Sequence, residues 1–203
     1  MISAIILAAG ESTRMGQPKM LLPWGNVSIL EHVIAVFSKA GIENILVVVG
    51  AARVQMEKII NQCKVRSVYN KDYANGEMLS SLQCGLRALA LTPPPLSRGE
   101  TGVVATLIGL GDQPQVEERS VRLICEMYQQ TKSTLIVPSF QMRRGHPWLI
   151  ARPLWTELLE MKPPESPRDF LKRQSRKIQH VEVNTPSIFA DVDTPEDYQV
   201  SRP

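Results

Sequence analysis

Between Leu7 and Trp24 the chain reads LAAGESTRMGQPKMLLPW, a run in which small residues stand beside cations. After Leu7, the small side chains of Ala8, Ala9 and Gly10, with Gly16 further on, leave the backbone uncovered, so its N–H groups can closely approach a ligand's oxygens. Arg14 and Lys19 bring positive charge to the same loop. The combination suits a polyphosphate. A Walker A loop is excluded on spacing, because Gly16 is followed by Gln17, Pro18 and Lys19, and the dinucleotide Gly-x-Gly-x-x-Gly pattern is absent. The plain alternative is an exposed basic loop.

Two acidic segments could hold a divalent ion beside such a loop, since Mg²⁺ is usually kept on one or two carboxylates plus substrate oxygens and water. In Gly111-Asp112-Gln113-Pro114, Asp112 directly follows an apolar strand pattern and reaches the loop if the two strands are neighbours. An Asx turn ahead of Pro114 is the competing reading. In Asp191-Val192-Asp193-Thr194-Pro195-Glu196-Asp197, alternation on a strand puts Asp191 and Asp193 on one face. The same residues also read as a helix start, with Asp193 or Thr194 as N-cap and Pro195 in the first turn.

Further anion sites are legible. Asn70 ends a strand pattern, and Gly76, Ser80 and Ser81 open the next helix, where hydroxyls and free N–H groups suit an anion or a sugar; Gln83 is placed to meet a base. Capping alone would also explain the serines. In MRRGHP, Arg143, Arg144 and His146 surround Gly145, a second anionic patch or a solvated face. His32 and His180 fall in helix and strand patterns and read as structural.

The elements that must position these residues alternate. Strand patterns at Ser3–Leu7, Asn44–Val49, Val65–Tyr69, Val103–Gly109, Thr134–Pro138 and Ile178–Val183 interleave with helical ones at Ile29–Ala40, Val54–Gln62, Leu79–Leu91, Glu117–Gln130, Pro153–Met161 and Pro167–Arg173, and a short helix opens at Pro195. That order predicts an α/β domain, a mostly parallel sheet with helices on both faces, whose ligands sit at the carboxyl ends of the strands. Thr92–Gly102, with three consecutive prolines, reads as a mobile surface loop inside a single domain spanning 1–203. Hydrophobic residues at 43% and charged ones at 21% exclude disordered and membrane classes, and 23 basic against 20 acidic residues give too small a net charge to argue for nucleic acid or a membrane surface. Three widely spaced cysteines and an N-terminal apolar stretch without a basic region predict a reduced, cytoplasmic protein.

Leu7–Lys19 matches the signature LAAG-x-S-x-R-M-G-x-x-K throughout, and here the sequence resembles the nucleotidyltransferases, in particular the molybdenum cofactor cytidylyltransferases. The resemblance continues in family order through Asn70–Leu82, Gly111–Pro114, Arg144–Pro147 and Asp191–Asp197. It implies a three-layer Rossmann-like nucleotidyltransferase fold. It implies CTP on the Leu7–Lys19 loop, with Arg14 and Lys19 on the phosphates and Asn70, Ser80 and Ser81 near nucleotide or acceptor. Mg²⁺ would lie on Asp112 and Asp193, with Asp191 beside them. A molybdopterin-type acceptor would meet Arg144, His146 and Arg168, and a molybdenum hydroxylase would be a partner. At Pro164–Asp169 the chain reads PESPRD where relatives tend to carry Gly-x-x-Gly-x-Arg. The alternatives are the same chemistry with GTP or another phosphorylated acceptor, and a non-catalytic protein that binds or delivers the cofactor.

Overall fold

The apolar run Ile2–Ala8 forms the first strand, β1, and its alternation divides the molecule into layers: Ala4, Ile6 and Ala8 face one core while Ile5, Leu7 and Ala9 face the other. A strand buried on both faces belongs at the centre of a sheet, which is where β1 lies. The computed structural model describes residues 1–75, 77–91 and 102–203. The loop expected at 92–102 therefore lies, up to residue 101, outside the described residues, as does Gly76. After β1 come β2 (Pro23–Trp24), β3 (Val27–Ser28), α1 (Ile29–Lys39), β4 (Asn44–Val49), α2 (Arg53–Gln62), β5 (Arg66–Tyr69), α3 (Glu77–Leu91) and β6 (Ala105–Leu110). The chain continues through α4 (Glu118–Thr131), β7 (Leu135–Phe140), β8 (Arg143–Arg144), β9 (Trp148–Ala151), α5 (Trp155–Glu160), α6 (Pro167–Arg173), β10 (Ile178–Glu182) and α7 (Pro195–Ser201).

The main sheet runs β10-β7-β9-β6-β1-β4-β5, with β8 paired on β7. β5, β4, β1 and β6 are parallel, as are β7 and β10, whereas β9 runs antiparallel to both β6 and β7. Helices α1, α2 and α4 bury Phe37, Met56, Ile60, Val121 and Ile124 on one face; α3, α5 and α6 bury Leu82, Leu86, Leu158 and Phe170 on the other. The result is a three-layer α/β fold. Helix starts follow the capping rules: Ser28 with Glu31, Ser166 with Asp169 and Thr194 with Asp197 each form a capping box, and Pro167 and Pro195 take the first turn of α6 and α7.

One strand was not anticipated, and two expectations need correction. Trp148–Ala151 is a strand, too short and too uniformly apolar to show a period. The helix expected from Pro153 starts at Trp155, after a 3-10 turn over Arg152–Leu154. Asp191–Asp193 forms no strand; Val192 N–H bonds the carbonyl of Asp112 instead of a sheet edge.

Candidate active site

β1 and β6 are neighbours, with Leu7 opposite Leu110, so the loop leaving β1 and the turn leaving β6 emerge side by side. Gly111 N–H donates to the Leu7 carbonyl at 2.9 Å, which fixes Asp112 against the loop. The loop itself is two 3-10 turns, Thr13–Met15 and Lys19–Leu21, joined through Gly16 at φ +70°, a conformation that favours glycine. Met15 and Met20 anchor it in the core. A Cβ at Gly10 would meet no protein atom within 4 Å, so packing does not require a glycine there; its smallness leaves the cleft open.

The C-terminal segment completes the cluster. Val192 N–H donates to the Asp112 carbonyl at 2.9 Å, and Val192 is fully buried, so the acids on either side of it face the cleft. Thr194 is the N-cap of α7, and Asp197 accepts from the N–H groups of Asp193 and Thr194, which leaves the Asp193 side chain free for other partners. The helix-start reading therefore holds at Thr194, and Asp191 and Asp193 both line the cleft without belonging to a strand.

Lys19 stands at the centre. Its Nζ donates to Asp112 Oδ2 at 2.6 Å and to Asp193 Oδ1 at 2.7 Å, while Arg14 Nη2 donates to Asp193 Oδ2 at 2.9 Å. Burial pulls the Lys19 pKa down, but Asp112 and Asp193 outweigh it and hold the ammonium above its ordinary 10.5. Burial pushes Asp193 up, yet Lys19 and then Arg14 outweigh it and hold the carboxyl below its ordinary value. Asp191 goes the other way: burial of its carboxyl raises it, the negative charges of Asp112 and Asp193 add to that, and the Gln113 amide, donating at 2.6 Å, only partly offsets them.

The cleft is about 420 Å³ and is lined by Leu7, Ala9, Gly10, Arg14, Lys19, Ser81, Asp112, Asp191 and Asp193 among others. Asn70 is buried beside it. Its amide donates to Ser80 Oγ at 2.9 Å and Ser81 Oγ at 3.0 Å, and its carbonyl accepts from Asp72 N–H, so it ties the β5–α3 turn to the start of α3. Tyr73 and Met78, which the sequence reading missed, supply apolar cleft wall. An aromatic residue in the short turn between Asn70 and Gly76 was the available signal. Gln83 does not face a ligand: its amide is committed to the carbonyls of Leu158 and Met161 at 2.8 and 2.9 Å, joining α3 to α5.

The residues expected on the acceptor side separate. His146 lies two residues before Trp148, which pairs with Ile108 of β6, so it sits at the same sheet end as Leu110 of the cleft. Its ring stacks on Trp148 at 4.3 Å, and Nδ1 approaches the Ile108 carbonyl at 3.3 Å. Burial, with a smaller contribution from the Arg168 charge, lowers its pKa to about 4. Arg168, exposed on the first turn of α6, is thus near His146. Arg144 is elsewhere: on β8 it borders a depression with Ser139, Met142, His180 and Glu182. His32 hydrogen-bonds the Pro114 carbonyl and is structural.

Asp112 and Asp193 present only oxygen donors converging on one point, with Asp191 close by, a donor set suited to a hard divalent cation. Among the described residues no group of three or more acidic, histidine or cysteine side chains forms a metal cage. Also among the described residues, no helix is long and apolar enough to cross a membrane. Cys63, Cys84 and Cys125 are free thiols.

The chain is 27% identical to the molybdenum cofactor cytidylyltransferase of Escherichia coli K12 over 97% of its own length and 93% of that protein's. It is 26% identical to the nicotine blue oxidoreductase of Paenarthrobacter nicotinovorans over 96% of its own length and 93% of the relative's. The fold superposes on the manganese complex of Rv0371C from Mycobacterium tuberculosis H37Rv with TM-score 0.77 at 22% identity, covering 98% of this chain and 96% of that one. The model of the MobA-like NTP transferase domain matches residues 4–180, from β1 into β10, and so takes in both the Arg14–Lys19 loop and Asp112. On that match the chain belongs to the MobA-like NTP transferase family, and is a nucleotidyltransferase.

Proposed function

We propose that this nucleotidyltransferase moves CMP from CTP onto the terminal phosphate of a molybdopterin-type cofactor and releases pyrophosphate. The observation that carries the reading is the meeting of Lys19 and Arg14 with Asp112 and Asp193, cations from the first loop and carboxylates from mid-chain and the C-terminal segment brought into one cleft. An acceptor phosphate oxygen forms the new bond to the α-phosphorus of CTP as the bond to the β-phosphate bridge breaks, and pyrophosphate departs with that electron pair. Such a transfer asks the protein for alignment and charge neutralisation. The N–H groups after β1, with Arg14 and Lys19, would hold the triphosphate, and Tyr73 and Met78 give its base an apolar wall.

Asp112 and Asp193 would hold a divalent ion, Mg²⁺ in this reading, which when bound neutralises charge gathering on the phosphates. A manganese complex of a protein with this fold supports a divalent ion. The acceptor would lie toward His146 and Arg168. At a pKa of about 4 the imidazole is neutral at physiological pH, so it acts through hydrogen bonding and shape, leaving the positive charge to Arg168. The cytidylyl donor and the pterin acceptor are supported by the full-length resemblance to the Escherichia coli enzyme. A molybdenum hydroxylase as recipient of the product, and a cytoplasmic location, belong to the same proposal.

Pyrophosphate release with each of CTP, GTP, ATP and UTP, in the presence of Mg²⁺ and molybdopterin, tests it. CTP should be the preferred donor. Preference for GTP would reassign the base, and tight pterin binding without turnover on any nucleotide would favour a carrier. Asp112→Asn should lower transfer at least about a hundredfold while leaving the circular dichroism spectrum unchanged, because the charge stabilisation at stake is several kcal/mol. Unchanged turnover would remove Asp112 from the reaction.

A further inference from the structure

The loop cations do not stand ready for a triphosphate. Lys19 Nζ lies within 2.7 Å of both Asp112 and Asp193, and Arg14 takes the second oxygen of Asp193 at 2.9 Å. A lysine ammonium is a compact charge with three protons, and here it sits where the two carboxylates converge. A divalent ion bound at about 2.0–2.1 Å from the same oxygens would be pressed against that ammonium. The charges point the same way: Lys19 and Arg14 already offset the two carboxylates they bond, so a divalent ion added alone would have only Asp191 to balance it, beside an ammonium whose side chain is 10% exposed. A triphosphate supplies the missing negative charge and also gives Lys19 and Arg14 another partner. Asp191 faces the same cleft but is hydrogen-bonded by the Gln113 amide and not by the two cations.

We propose that Lys19 and Arg14 latch the metal-binding carboxylates, so that nucleotide and divalent ion load together: the triphosphate draws the two side chains away and frees Asp112 and Asp193 for the ion. The inference rests on the nucleotidyl-transfer reading of this cleft. Coupling of this kind is reciprocal, so whatever loosens the latch strengthens ion binding by the free protein.

The test uses Mn²⁺ alone, with no nucleotide present, and reads the loss of the free-ion electron paramagnetic resonance signal as the full chain is titrated. Lys19→Met keeps length and removes charge, and should bind Mn²⁺ about tenfold more tightly than the unaltered protein. Arg14→Gln, at an exposed side chain, should gain in the same direction by a smaller factor, and it carries the test if Lys19→Met fails to fold as judged by thermal melting. Affinity equal to or below that of the unaltered protein in the folded variants would overturn the latch. A double variant adding Asp112→Asn to Lys19→Met separates the two ideas. Loss of the gained affinity supports the latch at this site, whereas retained tight binding would place the ion elsewhere and overturn the assignment of these carboxylates.

Discussion

Lys19 is the residue through which most of the site acts, because a single ammonium meets acids that lie 93 and 174 positions further along the chain. Lys19→Ala should weaken CTP binding and lower turnover together by about one to two orders of magnitude, the range for losing charged hydrogen bonds. An effect confined to acceptor affinity, measured by isothermal titration with each substrate, would contradict the phosphate role. The pH behaviour of the bridge follows from its directions. Asp193 is held below its ordinary value, so its contribution to stability is present above about pH 4 and is lost on acidification through the lower folded value. Lys19 is held above 10.5, so its contribution is present below that pH and is lost as alkali passes the higher folded value. His146 behaves oppositely to a paired histidine: its folded pKa of about 4 lies below the unfolded value near 6.5, so protonation favours the unfolded chain. Stability should fall as pH drops from about 6.5 toward 4, and His146→Asn should flatten that part of the profile in thermal melts.

At the scale of elements, the C-terminal acids depend on a helix cap. Thr194→Ala removes the hydroxyl that accepts from Asp197 N–H and should cost about 1 kcal/mol, a melting-temperature drop of about 2–4 °C. Because Asp197 also orders the Asp193 backbone, the loss in turnover should exceed that small loss in stability. The strands at Asn44–Val49 and Ile178–Glu182, the helix Pro167–Arg173 and the loop after β1 were all legible, since a β-branched apolar run, caps and glycine spacing are local signals. β9 was not, because four apolar residues carry no period and its antiparallel place between β6 and β7 is decided by long-range pairing. The separation of Arg144 from His146 was equally hidden: they are two residues apart, yet Arg144 pairs with Ser139 of β7 while His146 turns toward β6. Gln83 reads as a ligand contact by position, but the carbonyls it meets are those of Leu158 in α5 and of Met161 just after it, 75 and 78 residues away.

For the molecule as a whole, one sheet carries both cores, and Phe37 and Phe170 are fully buried on its opposite faces. If the chain is one domain, as its single main sheet argues, Phe37→Ala and Phe170→Ala should each lower the same calorimetric transition by about 3–5 kcal/mol. Two separable transitions would divide it. The bond from Val192 N–H to the Asp112 carbonyl has a consequence in time as well as in space. A ribosome extends a chain at about 5–20 residues per second, and for several seconds after the phosphate loop and Asp112 have emerged, Asp193 has not yet been translated. The nascent protein thus holds Arg14, Lys19 and Asp112 with the last carboxylate still missing, and competence would begin only once that late stretch folds back against Asp112.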